Sequence, residues 1–242
     1  MNYTRNKTTL EENGYAIVNN LYSNTEIDQI IDCIAQGEQE TSSFHKTKDL
    51  FAIRQLMKNI PELSGLLFNQ KLITLIDSFS TSDYFLTKAI YFDKPSMSNW
   101  FVAYHQDLSI SVDQKTDLDN YKNWTFKKGQ YGVQPPLHIL QNTITIRIHL
   151  DDTDKNNGAL KVIPKSHLEG IIRVESKEWD TKKEHICEVK KGGIMLMKPL
   201  TLHASNRTLN DKQRRVIHLE FNSLQLHEPL NWLEYLMIKD EV

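Results

Sequence analysis

The fold and the candidate function of this chain both centre on residues 99–112, NWFVAYHQDLSISV. We interpret this stretch as an extended strand, with His105, Gln106 and Asp107 at its centre. Because side chains on a strand alternate between its two faces, the imidazole of His105 and the carboxylate of Asp107 should point to the same side. The pair could therefore take two adjacent positions on one metal ion.

A third ligand for such a metal must come from elsewhere in the chain. The best candidate is His203, which lies in residues 195–221, MLMKPLTLHASNRTLNDKQRRVIHLEF. Two histidines and one carboxylate on one face of a metal, with the opposite face open, suit non-haem Fe(II) and oxygen chemistry. The residue types therefore predict a metal site at His105, Asp107 and His203.

The tripeptide His-x-Asp/Glu does not select this site by itself. From nine histidines and 31 acidic residues in 242 positions, we expect roughly one such tripeptide by chance, and four occur. The other three begin at His149, at the end of the strand TITIRIHL, at His167, in the turn PKSHLEG, and at His218, in the last apolar strand. Isolated histidines in such places are more often hydrogen-bonded structural residues than ligands.

Several separated motifs carry a resemblance to a known family. They are HQD at 105–107, RIHLDDTDKNNGALKVIPKSH at 147–167, LHASN at 202–206, and Arg214. In order and spacing, from about Gly14 to Phe221, the chain resembles the phytanoyl-CoA dioxygenase family of Fe(II)/2-oxoglutarate oxygenases. The resemblance implies a mostly β fold with flanking helices, built as a double-stranded β-helix of the jelly-roll, cupin-like type. Its N-terminal helices would pack on one sheet.

The same resemblance implies which residues hold the cofactors. Iron would be bound by His105, Asp107 and His203, and the far carboxylate of 2-oxoglutarate by Arg214 and Ser205, with O2 as the other cosubstrate.

Arg214 has a neighbour that could compete for this role. Strand alternation lets only one of Arg214 and Arg215 point inward. The spacing from His203 in the family favours Arg214, which leaves Arg215 as a solvated or salt-bridged strand residue.

Other candidate cofactor-binding residues lie earlier in the chain. Arg54 is surrounded by apolar residues in DLFAIRQLMKNIPEL, and a buried guanidinium needs an anionic or carbonyl partner. In relatives a basic residue of this region reaches the 2-oxoglutarate site, and the alternative is a partly exposed arginine that packs its stem. In the strand DYFLTKAIYFDKP, either Lys88 with its row or Tyr91 with its row faces the pocket. The sequence leaves both alternatives open.

The strand TITIRIHL carries a long polar row that should face a wet pocket or solvent. This row makes Thr145 a candidate for binding the cosubstrate and Arg147 a candidate for holding an anionic substrate group or cosubstrate. Trp100 and Trp124 are candidate substrate contacts. The alternative for Trp100 is a buried aromatic that supports the strand. Trp124 lies in the long irregular stretch 113–134, which we interpret as a candidate lid or as surface decoration.

Composition excludes several function classes. A net charge of −2 gives no electrostatic footprint for nucleic acid or an anionic membrane. No stretch approaches 18 apolar residues, and the first residues lack a signal-peptide pattern. The two cysteines, Cys33 and Cys187, are far apart and are expected to be reduced, as in a cytosolic protein. We therefore expect a cytoplasmic protein whose partner is a small-molecule substrate.

We expect a single domain over residues 1–242, with an N-terminal helical cover at about 1–83, a β-helix core at about 84–224 and a C-terminal helical segment at about 225–242. Within the cover, helices are predicted from about 25 to Gly37, over 49–63 and over 67–79.

The predicted function is an Fe(II)/2-oxoglutarate-dependent dioxygenase that hydroxylates a small molecule. Halogenating relatives have a small residue where this chain has Asp107, so the carboxylate favours hydroxylation. Desaturation, cyclisation and epimerisation use the same ligands and stay open. The alternatives are a metal-dependent cupin-type enzyme that does not use 2-oxoglutarate and a non-catalytic sensor or binding module.

Overall fold

The computed structural model describes residues 3–40, 45–46, 51–79, 82–96, 98, 100–173 and 183–238. The helices are α1 Thr4–Asn13, α2 Asn24–Glu40, α3 Leu56–Asn59, α4 Leu63–Leu67, α5 Gln70–Asp77 and α6 Leu137–Asn142. The strands are β1 Tyr15–Val18, β2 His45–Lys46, β3 Phe51–Arg54, β4 Phe85–Lys94, β5 Val102–His105, β6 Ile110–Val112, β7 Lys122–Lys127, β8 Gln130–Gln134, β9 Ile144–His149, β10 Leu160–Val162, β11 His185–Cys187, β12 Ile194–Met197, β13 His203–Ser205, β14 Arg214–Asn222 and β15 Leu236–Met237.

Two antiparallel sheets enclose the centre of the molecule. The large sheet has the order β1-β12-β9-β14-β4-β3-β2, and β15 pairs with β4. The smaller sheet has the order β11-β10-β13-β5, and β6, β8 and β7 form a third sheet. Residues of the two larger sheets line one cavity. This arrangement confirms the predicted double-stranded β-helix.

The large sheet has one apolar face and one mixed face because its strands alternate. In β9, Ile144, Ile146 and Ile148 join the main apolar core, together with Ile27 and Ile30 of α2. The N-terminal helices therefore pack on the outer face of this sheet, as predicted. No helix in the described part of the chain is long and apolar enough to cross a membrane.

The N-terminal cover differs from its prediction in two places. Helix α2 was predicted to end at Gly37, but it continues through this residue to Glu40. Gly37 is instead a site of close contact. A β-carbon there would lie 2.7 Å from the side chain of Ile60. The predicted helix over 49–63 is wrong at its start, since Phe51–Arg54 forms β3 and pairs with the open edge of β4. Edge pairing outweighed the helical spacing of these apolar residues.

The stretch predicted to be irregular, 113–134, contains a β-hairpin. Strands β7 and β8 are joined by Lys128 and Gly129, whose φ angles are 54° and 72°. Two consecutive residues with positive φ make the two-residue turn whose twist suits a hairpin. The hairpin pairs with β6, so this stretch belongs to a sheet.

The predicted C-terminal helical segment is wrong for residues 225–237, which contain no helix. Instead, Trp232 forms a bridge with Val112, and Leu236–Met237 pairs with the start of β4. Trp232 is buried and packs edge-to-face on Phe85 at 6.3 Å between ring centroids. Unpaired backbone groups at the start of β4 and at Val112 give this segment partners that a helix would not use.

Glu234 in this segment makes stability depend on pH. One carboxylate oxygen accepts a hydrogen bond from the Ala89 amide at 3.1 Å, and the other is buried without a partner. Burial raises the pKa of Glu234 from 4.5 to about 7. The folded protein therefore holds a proton that the unfolded chain releases, and stability falls as the pH rises from 4.5 through 7.

We predict that Glu234→Gln increases the free energy of unfolding by about 2 kcal/mol at pH 8, because the amide keeps the acceptor and removes the buried charge. Urea denaturation at pH 8 and pH 5 measures this effect. The gain should shrink at pH 5, and an equal gain at both pH values would contradict the prediction.

Candidate metal and cosubstrate site

The three predicted metal ligands meet at one end of the smaller sheet. His105, the last residue of β5, pairs directly with His203, the first residue of β13, and their ring centroids lie 4.2 Å apart. Asp107 places one carboxylate oxygen 3.6 Å from His105 Nε2 and the other 3.7 Å from His203 Nε2. In the described part of the chain, this is the one group of histidine, cysteine and acidic residues close enough to share a metal ion.

Strand alternation is not what brings Asp107 to the site, because β5 ends at His105. The turn after β5 is held by its backbone and by Gln106. The Asp107 amide donates to the Pro199 carbonyl at 2.9 Å. The buried Gln106 side chain donates to the carbonyls of Leu200 and Gly170 at 2.7 and 2.8 Å. Gln106 is a positioning residue that the sequence analysis did not identify.

Backbone contacts fix the orientation of both imidazoles. His105 Nδ1 lies 2.9 Å from the Ala103 carbonyl, and His203 Nδ1 lies 2.8 Å from the Thr201 carbonyl. A carbonyl oxygen only accepts, so each Nδ1 carries the hydrogen and each Nε2 presents a lone pair towards Asp107. Metal-ligating histidines are typically held in this way. The site therefore fits a cation at the point where these lone pairs converge.

The electrostatics of the three residues favour the same occupant. Burial lowers the pKa of His203 to about 4 despite the nearby Asp107. Burial by itself would raise the pKa of Asp107, but His203 and His105 outweigh it and hold that pKa far below its ordinary value. At neutral pH, His203 is neutral and Asp107 is an anion, and this donor set suits a divalent transition metal.

The three predicted metal ligands open into a cavity of about 440 Å³ between the two sheets, a size typical of small-molecule sites. Arg214 and Ser205 both line it. The Arg214 side chain is buried, donates from Nη1 to the Gly158 carbonyl at 2.6 Å, and has no partner for Nε. Burial, followed by the charge of Arg147, lowers the pKa of Arg214 to about 9. A buried guanidinium without a carboxylate is costly, so this end of the cavity suits an anion.

A model of the family described as phytanoyl-CoA dioxygenase (PhyH) matches residues 10–216 of the chain. The chain belongs to the phytanoyl-CoA dioxygenase family. The predicted family is thereby confirmed. A search of curated protein sequences found no match.

Solved structures share the fold of this phytanoyl-CoA dioxygenase family member at low sequence identity. The non-heme monooxygenase ThoJ aligns with a TM-score of 0.70 and 13% identity, over 96% of this chain and 82% of its own. SnoK, a non-heme alpha ketoglutarate dependent carbocyclase from nogalamycin biosynthesis, aligns at 0.67 and 14%, over 92% and 84%. EvdO2 from Micromonospora carbonacea var. aurantiaca, in complex with 2-oxoglutarate, aligns at 0.66 and 16%, over 97% and 98%.

The three other His-x-Asp/Glu tripeptides have structural contacts in this family member. His149 Nδ1 lies 2.8 Å from the Thr153 hydroxyl, and His167 Nε2 lies 3.0 Å from the Glu11 carbonyl. His218 lies between Arg147 and Glu220. Each of these histidines therefore has a hydrogen-bonding partner within the fold, and His218 also lines the cavity.

Arg214 and Arg215 lie in different environments in the structure. Arg214 lines the cavity, whereas Arg215 makes a two-point contact with Asp151 at 2.7 and 2.9 Å. The salt-bridged alternative for Arg215 is confirmed.

The structure also decides between the two rows of β4. Lys88 lines the cavity together with Ile90 and Phe92. Tyr91 points to the opposite face and packs edge-to-face on Phe51 at 6.1 Å between ring centroids. The lysine row therefore faces the pocket, and Tyr91 is placed away from it.

Of four further predicted site residues, two line the cavity and two do not. Arg147 and Trp100 line the cavity. Trp124 is not among the lining residues, because it packs on a second apolar cluster formed with Tyr121 and Val133. Thr145 is fully buried in β9 and is also absent from the lining.

Arg54 lies at the opening of the cavity and not at the buried Arg214 end. Its backbone pairs with Ile90, whereas Arg214 pairs with Lys94. These positions are four residues apart on β4, or about 13 Å along the strand. Arg54 is also exposed, which favours the second of its two sequence interpretations.

The sequence analysis missed a buried series of hydrogen-bonded side chains on the large sheet. Arg147 Nη1 lies 3.1 Å from His218 Nδ1, and His218 Nε2 lies 3.0 Å from a Glu220 oxygen. Glu220 also pairs with Lys88 at 2.8 Å. Since a guanidinium only donates, His218 accepts at Nδ1 and donates from Nε2 to Glu220. The signal in the sequence was the inward alternation of 218 and 220, which becomes informative only once the pairing of β14 with β9 and β4 is known.

Proposed function

We propose that this protein is an Fe(II)- and 2-oxoglutarate-dependent dioxygenase that hydroxylates an unactivated C–H bond of a small molecule and releases succinate and CO2. One observation carries the proposal. The two imidazoles and the carboxylate converge in the same cavity that holds the buried Arg214, which has no acidic partner among the described residues. A metal site next to an unpaired guanidinium matches a cosubstrate that chelates at one end and carries a carboxylate at the other.

The proposed role of each residue follows from its place in the site. His105, Asp107 and His203 would hold iron on one face and leave the opposite face to the cavity. Arg214 would bind the far carboxylate of 2-oxoglutarate through charge-assisted hydrogen bonds, with the Ser205 hydroxyl as a further donor. When bound, iron and 2-oxoglutarate supply the oxidising chemistry, and the protein supplies orientation and a shielded site.

The hydrogen-bonded series of side chains from Arg147 to Lys88 would fix the cavity wall opposite the metal ligands. His218, itself held by Glu220, accepts from the Arg147 guanidinium on one side, so the remaining N–H groups of Arg147 are directed by the protein and not by water. This pre-organised donor would orient whichever acceptor group of the substrate or cosubstrate lies next to the iron.

Hydroxylation is proposed over halogenation because Asp107 keeps a carboxylate among the ligands. Desaturation, cyclisation and epimerisation are compatible with the same residues, and SnoK, which shares the fold, is described as a carbocyclase. Product analysis by mass distinguishes an added oxygen from the loss of two hydrogens or an unchanged mass.

The decisive experiment is anaerobic reconstitution with Fe(II) and 2-oxoglutarate, followed by oxygen addition and a metabolite screen for succinate. We expect oxygen consumption that requires both Fe(II) and 2-oxoglutarate and that increases with the correct substrate. Oxygen-dependent turnover that ignores 2-oxoglutarate would instead support a cupin-type enzyme. Binding of metabolites without succinate formation would support a sensor.

A further inference from the structure

The cavity of this protein carries far more positive charge than the proposed reaction requires. Its lining contains six cations and two carboxylates, an excess of four positive charges. Fe(II) and doubly charged 2-oxoglutarate neutralise each other, so a loaded site keeps the same excess. A cavity with this field attracts an anion.

The unneutralised charge is concentrated at the opening. Lys88 is paired with Glu220, Arg147 is buried against His218, and Arg214 is buried at the far end. The other cations, Arg54, Lys127 and Lys128, are exposed lining residues, and no acidic side chain among the described residues pairs with them. The pKa of Lys128 is lowered by burial and by the charge of Arg54, so the two cations repel each other across the opening.

The protein holds these cations in a defined place. Lys127 ends β7, and Lys128 occupies the two-residue turn before β8, with φ at 54°. Arg54 ends β3 on the large sheet. The wall of the cavity also includes apolar residues, namely Ile90, Phe92, Trp100, Val102 and Leu160.

We propose that the substrate is a small amphipathic anion whose carboxylate or phosphate binds Arg54, Lys127 and Lys128 at the cavity opening. Its apolar part lies along the wall and brings a C–H bond to the metal. This inference rests on the proposed function and adds the chemical class of the substrate.

The test compares three eight-carbon probes, octanoate, octyl phosphate and octanol, by calorimetry on the full chain loaded with Zn(II) and 2-oxoglutarate. We expect at least one of the anions to bind about 10-fold or more tightly than octanol, since complementary charge at close range has an effect of this size. The carboxylate and phosphate probes show which head group is preferred. The double variant R54Q/K128Q should lose the preference, and K122Q, an exposed lysine of β7 outside the lining, should keep it.

Equal binding of octanol and both anions, no binding of either anion, or a preference that survives in R54Q/K128Q would overturn the proposal. The affinity for 2-oxoglutarate is measured on the same samples. If 2-oxoglutarate does not bind the wild-type protein, the proposed function fails. If it binds and the anion preference is absent, only this inference fails.

A separate observation concerns Lys94 at the opposite end of the site. Its side chain is 0% exposed, and it is the residue of β4 that pairs with Arg214 of β14. Its ammonium donates to the Asn206 carbonyl at 2.6 Å and lies 5.8 Å from the centre of the Trp100 ring. No carboxylate among the described residues pairs with it.

Lys94 and Arg214 converge on the same backbone. Arg214 donates to the Gly158 carbonyl, and a β-carbon on Gly158 would lie 2.8 Å from Lys94 Nζ. An ammonium has three donors, and a buried cation without an anion is costly. Burial and the charge of Arg214 lower the pKa of Lys94 to about 7. A carboxylate placed beside both side chains would relieve this cost.

We infer that Lys94 is a second cation for the far carboxylate of 2-oxoglutarate, beside Arg214. This inference also rests on the proposed function. Lys94→Met should weaken 2-oxoglutarate binding to the Zn(II)-loaded protein by about 10- to 100-fold, the effect of a hydrogen bond to a charged group. The same variant should raise the melting temperature of the metal-free protein, because it removes a buried unpaired charge.

These opposite effects separate a ligand-binding lysine from a structural one. A lysine that serves only Asn206 would give an unchanged 2-oxoglutarate affinity and a lower melting temperature in Lys94→Met, and either result would overturn the inference. The wild-type titration is the reference, since its failure to bind 2-oxoglutarate would count against the proposed function itself.

Discussion

Asp107→Ala is expected to abolish succinate formation and to weaken Fe(II) binding by more than about 100-fold, since removing even an outer-shell partner of a metal ligand costs about 10- to 100-fold. The carboxylate provides the only negative charge in the triad and contacts both imidazoles at 3.6 and 3.7 Å. Without it, only the lone pairs of His105 and His203 remain to bind the metal. Anaerobic Fe(II) titration and a succinate assay measure the two effects.

His149→Ala is the matched control for Asp107→Ala. His149 belongs to a competing His-x-Asp tripeptide, but it contacts Thr153 and lies outside the metal-binding group. Iron binding should be largely intact in this variant, with circular dichroism used to verify that both variants are folded. Loss of iron from His149→Ala together with turnover by Asp107→Ala would reverse the assignment of the metal site.

The sequence predicted the parts of this fold that depend on local alternation and on a motif order shared with a family. Strand β9 could be recognised because Ile144, Ile146 and Ile148 alternate with polar residues, and the isoleucine row joins the main apolar core. The metal ligands were predicted by residue type and spacing, and their side chains do converge. The strand needed only its periodicity, whereas the metal site needed the chemistry of the donors and the order of the family motifs.

The missed features depend on pairing partners that are distant in sequence. The predicted C-terminal helix has an amphipathic pattern, yet Leu236 and Met237 pair with β4, about 150 positions earlier. Arg54 has an apolar setting in the sequence, yet its position at the end of β3, beyond the residues that pair with β2, leaves it exposed. Gln106 gave no signal because its hydrogen-bond partners, Leu200 and Gly170, come together only in the folded chain. Register and edge positions are tertiary properties, and local patterns do not encode them.

Arg214→Met should raise the Kd for 2-oxoglutarate by more than about 30-fold, because truncating one partner of a buried charge pair costs about 2–5 kcal/mol. Methionine keeps much of the stem volume, so the variant removes the charge with little change in packing. The affinity of the Zn(II)-loaded protein for 2-oxoglutarate, measured by calorimetry, is the direct readout. Fe(II) binding should be unaffected, since Arg214 is not a metal ligand.

Arg215→Gln provides a control one position away on the same strand. Arg215 points to the other face and pairs with Asp151, so its loss should lower stability modestly, by up to about 1 kcal/mol, and leave the Kd for 2-oxoglutarate unchanged. Equal weakening in both variants would mean that strand β14 is disturbed as a whole and that neither guanidinium anchors the cosubstrate. A weak effect in Arg214→Met combined with a strong one in Arg215→Gln would reverse the inward and outward faces of the strand, contrary to the burial of Arg214.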